Sequence, residues 1–343
     1  MGRFGSCVVA IACESDTVEG DLKLRAFQVT DHAIAPSLQD VPDPHPNPGE
    51  VLVRVHACGL NFADILVAKG TYQDIPPLPA TLGMELAGEV VSLGEGVTTR
   101  AVGDRVAVNA GHGGLAEFGA FVVDTTVPLP DAMPFTDAAA FMVAYGTSHL
   151  GLTRRARLQK GERLVVLGAA GGVGLTAVEI GAALGAEVVA VARGADKLAV
   201  AKDAGAHHLI DSETTDLREA LKELGGADVV YDPVGGDLTV AAIRACNPEA
   251  RVLIIGFASG DLPKIAANHL LVKNIDVIGY YWGAYRAFAP QVLSDSLSEL
   301  LQWYSEGRLT PHVSKTFPLE QAGDAMDFLK SRKSTGKVVV TME

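Results

Sequence analysis

The stretch RLVVLGAAGGVG, from Arg163 to Gly174, decides how the rest of the chain is read. Leu164, Val165, Val166 and Leu167 make a short continuous apolar run bounded by turn residues, the pattern of a strand buried on both faces. Glycine fills four of the next seven positions: Gly168, Gly171, Gly172 and Gly174. TAVEIGAALG (Thr176 to Gly185) then carries apolar residues at helical spacing and stops at a glycine, as helices often do. A second apolar run, Val188 to Ala192, follows at once. Together these form a βαβ unit. Its helix opens around Ala170, Gly171, Gly172 and Val173 with free backbone N–H groups that can receive a pyrophosphate. Glycine turns also make ordinary tight turns, and the strand, helix and following strand at this spacing are what select a dinucleotide. The usual fingerprint has glycine at the first turn position, where Ala169 stands here.

The cofactor's identity is read about 20 residues further on, where NAD enzymes place an acid on the ribose 2′-hydroxyl. This chain offers Ala192, Arg193 and Gly194 there, followed by Lys197. A cation without a carboxylate favours a 2′-phosphate, so the expected cofactor is NADPH rather than NADH. The alternative is that Arg193 and Lys197 are ordinary solvated charges at a helix start.

With 343 residues the chain can form two domains of ordinary size. Apolar residues at 48%, aromatics at 6% and 37 glycines suit an α/β enzyme rich in tight βα turns. A formal net charge of −13 argues against nucleic acid or an anionic membrane as the main partner. Cys7, Cys13, Cys58 and Cys246 show no C-x-x-C spacing, so neither a disulfide framework nor a structural zinc lobe is written here, and a reducing cytoplasm fits best. Arg3 and the apolar run Cys7 to Cys13 faintly resemble a signal segment, but the run is too short for a membrane span. Residues 1–23 are therefore expected to be an N-terminal extension.

From Leu24 to Asp124 the pattern is short strands and turns: LRAFQV (24–29), GEVLVRVHACGL (49–60), LAGEVVSLG (86–94), DRVAVNA (104–110) and AEFGAFVVD (116–124). Such a series predicts a partly open β-barrel rather than further βαβ units. A helix over Thr136 to Leu152 then leads into the cofactor strand. Beyond the first βαβ unit strands and helices keep alternating until DVIGYYW (276–282), so six strands can be drawn, one complete doubly wound sheet. A helix near 294–306 and the segments HVSKTFPL and GKVVVTM close the chain, the last reading as a strand that rejoins the barrel. The expected fold is thus α/β, with a barrel domain over 24–134 and 285–343 and a dinucleotide-binding (Rossmann) domain over 135–284.

The motifs CGLNFADILVAKG (58–70), LGMELAGEVVSLGEGV (82–97), GDRV (103–106), AYGTSHLGL (144–152) and AAGGVG (169–174) resemble, in order and over nearly the whole chain, the medium-chain dehydrogenase/reductase superfamily and its zinc-free quinone-oxidoreductase-like branch. The resemblance implies a GroES-like barrel. It also implies a branch assignment from missing ligands: zinc-dependent relatives carry cysteine at Asn61, histidine at Met84 and a further thiolate near Val143. Only Glu85 survives, and one carboxylate cannot hold Zn²⁺. The four-cysteine lobe of those relatives is replaced by AGHGGLAEFG, where His112 is the one possible ligand. No metal is therefore expected, and the reaction implied is hydride transfer from NADPH to a quinone or another α,β-unsaturated carbonyl acceptor.

The resemblance also carries over site residues. Asn61 and Tyr72 are expected at the catalytic cleft, with Tyr72 the best candidate to hydrogen-bond the substrate oxygen. Asn61 and Thr147 are expected near the nicotinamide, and Gly256 and Phe257 behind its ring. Asp64 is equally a site residue or a cap. Tyr280, Tyr281 and Trp282 wall the cleft or pack a dimer edge, packing being preferred. Ser212 departs from relatives that carry tyrosine near the 2′-phosphate, and Lys337 is read as the first residue of a strand rather than a ligand. The runner-up activity is a 2-alkenal or enoyl-thioester reductase. A non-catalytic NADPH-binding structural or RNA-associated role is the alternative of another class, against which the net acidity counts. A short-chain dehydrogenase is disfavoured, because no tyrosine has lysine four residues later. The apolar segment Val277 to Tyr281, at a sheet edge, predicts a homodimer.

Overall fold

The computed structural model describes residues 24–342; the extension expected over residues 1–23 lies outside the described residues. The first half of the chain folds as β1 (Leu24–Val29), β2 (Ser37–Val41), β3 (Glu50–Leu60), α1 (Phe62–Ala68), β4 (Ala80–Thr81), β5 (Glu85–Leu93), β6 (Arg105–Asn109), β7 (Phe118–Val122), β8 (Thr126–Pro128), α2 (Phe135–Ala139) and α3 (Met142–Leu150). Then come β9 (Arg163–Leu167), α4 (Gly172–Ala183), β10 (Glu187–Ala192), α5 (Ala195–Asp203), β11 (His208–Asp211), α6 (Leu217–Glu223), β12 (Ala227–Asp232), α7 (Gly236–Ala245), β13 (Cys246–Ile254), α8 (Ala267–Leu271) and β14 (Asp276–Gly279). The chain closes with α9 (Tyr285–Phe288), α10 (Pro290–Ser305), β15 (Val313–Pro318), α11 (Ala322–Lys330) and β16 (Lys337–Thr341).

The six strands β9 to β14 form one parallel sheet in the order β11-β10-β9-β12-β13-β14. Helices cover both faces, so Leu164, Val165, Val166 and Leu167 of β9 are wholly excluded from solvent, which is why the run lacks alternation. The order reverses between β9 and β12, and ligands of such sheets sit beyond the strand ends at that crevice. The barrel sheet runs β15-β16-β3-β5-β6-β8, with β7 also paired to β3, and a small sheet β2-β1-β4 flanks it. The α/β fold, a GroES-like barrel beside a Rossmann sheet, is the expected one. The last strand β16 returns from the far end of the chain to lie antiparallel to β3, and Val338, Val339 and Val340 are fully buried there.

Two elements differ from expectation. The helix over Thr136 to Leu152 is interrupted at Ala140–Phe141, giving α2 and α3. Tertiary packing takes precedence over propensity here: the Ala139 carbonyl seats so close to Gly59 that a Cβ at Gly59 would lie 2.0 Å from its oxygen. The sixth strand ends at Gly279, short of Tyr280 and Tyr281. Tyr280 and Trp282 turn into the core, Trp282 packing on Gly146 of α3, so the burial of two large rings ends the edge.

Candidate active site

Three neighbouring barrel strands deliver one buried polar cluster. Register pairs Val338 of β16 with Leu60 of β3, and Glu85 of β5 with Gly59, so Lys337, Asn61 and Glu85 arrive at the same end of adjacent strands. The Lys337 ammonium donates to Asn61 Oδ1 and Glu85 Oε1, each at 2.7 Å. Asn61 Nδ2 donates to Glu85 Oε1 at 2.9 Å and to the Gly59 carbonyl at 3.3 Å. The second oxygen of Glu85 accepts the Val143 N–H of α3 at 2.8 Å. Glu85 and Lys337 are both buried. Lys337 is the first residue of a strand, as expected, and also a buried ion-pair partner, which its sequence neighbourhood gave no sign of because its partners lie some 250 and 275 residues away.

Asp64 takes the cap role. Its carboxylate accepts the Asn61 N–H at 2.8 Å, Gly83 N–H at 3.2 Å and Met84 N–H at 3.1 Å, fixing the two motif loops that carry Asn61 and Glu85. Burial pushes its carboxyl up to about 6, against these N–H donors and the Lys337 charge. Tyr72, in the loop after α1, is half-buried and meets the Tyr281 ring edge-on with centroids 6.3 Å apart; burial and the Tyr281 hydroxyl hold its phenol well above the ordinary value. Tyr281 thus sits at the Tyr72 loop, although packing was the preferred reading for it. Arg286 of α9 bonds the Asn109 carbonyl at 3.2 Å and lies 3.5 Å from Asp74.

The glycine turn faces this cluster. The Gly336 N–H donates to the Ala170 carbonyl at 2.8 Å, and Gly171 and Gly336 form a parallel bridge. Gly172 lies against the Lys337 stem, where an added Cβ would be 3.3 Å from Cδ. Gly168 holds φ +63, and Gly174 approaches its carbonyl so closely that a Cβ would lie 2.2 Å from the oxygen. The first-turn N–H groups of α4, including that of Val173, have no intrahelical acceptor. Thr147 is buried on α3; its neighbour Ser148 donates to the Val173 carbonyl at 2.9 Å and contacts Thr176 Oγ1 at 2.8 Å and the Tyr231 hydroxyl at 3.0 Å. These bonds brace the start of α4.

At the end of β10 Arg193 is exposed and Lys197 donates to the Arg332 carbonyl at 2.5 Å. Arg332, absent from the sequence-based site, holds φ +58 and donates its guanidinium to the Ala258 carbonyl at 2.6 Å. Burial first, then the Arg193 and Arg332 charges, lower the Lys197 pKa, with Glu213 acting the other way. Only folding brings Arg332 here, 135 residues from Lys197. Ser212 bonds the Ala192 carbonyl through both its N–H and its hydroxyl. Gly256 donates to the Asp232 carbonyl at 3.3 Å, and Phe257, exposed, packs beside Gly235 at the end of β13.

Comparison with known proteins agrees with this layout. Residues 47–131 match the alcohol dehydrogenase GroES-like domain family and residues 172–304 the zinc-binding dehydrogenase family. Quinone oxidoreductase-like protein 2 of Bos taurus is 41% identical over 300 residues, 86% of each chain. The crystal structure of Escherichia coli quinone oxidoreductase complexed with NADPH superposes with a TM-score of 0.85 at 28% identity, covering 93% of this chain and 99% of that one. That of the CurK enoyl reductase gives 0.84 at 28% identity over 94% and 100%. Barrel, parallel sheet and shared crevice define a medium-chain dehydrogenase/reductase, and this chain belongs to that superfamily. Within it, the chain belongs to the quinone oxidoreductase-like branch.

Proposed function

We propose that the protein is a zinc-independent NADPH-dependent reductase of quinones or related α,β-unsaturated carbonyl compounds. The observation that carries this is the fate of Glu85. At the position where zinc-dependent relatives build their metal site, the one carboxylate is neutralised by Lys337 at 2.7 Å and further occupied by Asn61 and the Val143 N–H. Asn61, Met84 and Val143 supply no thiolate or imidazole, so these residues do not fit Zn²⁺. Among the described residues no group of three His, Cys, Asp or Glu side chains could hold a metal.

The residues do fit a nicotinamide dinucleotide. The glycine cradle at Gly171, Gly172 and Gly174 leaves no room for a Cβ at Gly174, and the N–H groups of α4 open at the reversal point of the sheet. Bound there, NADPH supplies a hydride. Arg193, Lys197 and Arg332 offer cations from both lobes for a 2′-phosphate. In this reading Thr147 on α3 and, at the sheet's end, Gly256 and Phe257 meet the nicotinamide end of the cofactor. Tyr72 is protonated at neutral pH, as a phenol ordinarily is, and its hydroxyl is placed in this reading to donate a hydrogen bond to the acceptor oxygen where negative charge develops. Asn61, whose Nδ2 is already spent, accepts rather than donates. Two buried free thiols, Cys58 and Cys246, agree with a reducing cytoplasm.

The enoyl-thioester reading keeps one specific support, the Arg286 cation near Tyr72, and the test includes it. Metal-depleted protein is assayed for NADPH oxidation with quinones, 2-alkenals and crotonyl-CoA. Turnover of at least one class is expected, falling about 100-fold in kcat for Tyr72→Phe with the Kd for NADPH unchanged. Activity that requires added zinc, or NADH used as efficiently as NADPH, would overturn the assignment.

A further inference from the structure

In the hydride-transfer reading above Lys337 serves only to neutralise Glu85, yet its ammonium also touches Asn61. An ammonium has three N–H donors, and two of them are used among the described residues, on Asn61 Oδ1 and Glu85 Oε1. The consequence falls on Asn61. A carboxamide can turn over, exchanging its oxygen for its NH₂. Turned over here, its NH₂ would face the Lys337 ammonium and its oxygen the Glu85 carboxylate, two repulsive contacts against groups that are both buried. Lys337 and Glu85 together therefore permit one orientation. In that orientation both Nδ2 hydrogens are taken, by Glu85 and Gly59, and what remains is acceptor capacity on Oδ1. Whatever Asn61 binds from the cleft must bring a hydrogen-bond donor, such as a sugar hydroxyl, and not a carbonyl oxygen.

The stem of Lys337 adds a second link. Its Cδ lies where a Cβ on Gly172 would be 3.3 Å away, and the preceding Gly336 N–H is bonded to Ala170. The ammonium that orders Asn61 is thus carried on backbone that is tied to the glycine turn preceding α4. Movement of one shifts the other.

We propose that Lys337 is a positioning residue that locks the Asn61 carboxamide as a hydrogen-bond acceptor for a ribose hydroxyl of the bound cofactor, in register with the phosphate-binding turn. This rests on the proposed NADPH site and extends it: the chain recognises the cofactor's sugar through an oxygen held in place by a charge on its last strand.

Removing Lys337 alone strands a buried carboxylate, which is strongly destabilising and can unfold the protein. The informative variant is therefore the neutral pair Glu85→Gln/Lys337→Met, made in the wild-type and the Asn61→Ala backgrounds. NADPH affinity is measured by quenching of protein fluorescence, and melting is recorded without cofactor. The neutral pair is expected to raise the NADPH Kd about tenfold in the wild-type background and to change it little once Asn61 is alanine. Lys337→Arg keeps the charge and is expected to stay within about threefold of wild type. A neutral pair that binds NADPH as wild type does, or a tenfold loss that persists without Asn61, overturns the lock. If the neutral pair does not fold, an Arg variant that is folded but has lost tenfold or more in affinity overturns it too. Wild-type protein that fails to bind NADPH removes the cofactor site itself, and the lock with it.

Discussion

Asp64 shows how one side chain can hold a site together at a cost that depends on pH. Its folded-state pKa of about 6 lies above the ordinary aspartate value of 3.8, with burial the main cause and the Lys337 and Glu85 charges facing it with opposite effects. Between these values the folded chain binds more protons than the unfolded one, so stability falls as pH rises through the window and levels off above it. The contribution lost between pH 4.5 and pH 7 is about 2 kcal/mol. Asparagine at this position cannot titrate. Urea melts of wild type and Asp64→Asn are therefore expected to shift in the variant's favour by about 2 kcal/mol on going from pH 4.5 to pH 7. Equal shifts at both pH values would show that Asp64 does not titrate in this window. At this scale the sequence motif exposed Asn61, Asp64 and Glu85, but it could not say that Asp64 serves backbone N–H groups. That choice is made by Gly83 and Met84, about 20 residues away.

At the level of elements, the turn between β9 and α4 is a tightly constrained piece of backbone. Gly168 adopts a left-handed conformation and Gly174 packs on its carbonyl, so the helix starts close to the strand that precedes it. Gly174→Ala places a methyl 2.2 Å from the Gly168 oxygen. The backbone must shift, costing about 1–3 kcal/mol. Displacement of the first-turn N–H groups is expected to weaken NADPH binding by about tenfold or more, read by fluorescence titration beside a thermal melt. Unaltered affinity would mean that phosphate does not dock at this turn. The contrast with α2 and α3 is instructive. Alanine-rich residues 136–152 read as one continuous helix by pattern, yet the close approach of Gly59 interrupts them.

For the whole molecule, the edge of the parallel sheet is where a second copy is predicted to dock. β14 ends the parallel sheet, and beside it Leu271 and Val272 are 78% and 74% exposed. Exposed apolar side chains near the open edge of a sheet are costly in water and favour association with a second copy. Light scattering is expected to give a mass near twice 35.8 kDa, and Leu271→Asp/Val272→Asp to give the monomer. A wild-type monomer at micromolar concentration would exclude this edge as a dimer interface. Tyr280 and Trp282, which the sequence placed at the same edge, are withdrawn into the core.

The sequence by itself determined the βαβ unit, the six-strand alternation, the barrel motifs and the residue types at the former metal positions, because each is encoded in local periodicity or in short contiguous motifs. Only the tertiary structure decided what those residues do to one another. Lys337, Arg332 and Tyr281 reach Glu85, Lys197 and Tyr72 across 252, 135 and 209 positions of chain. Contacts of that range are set by strand register and lobe packing, which no local pattern records.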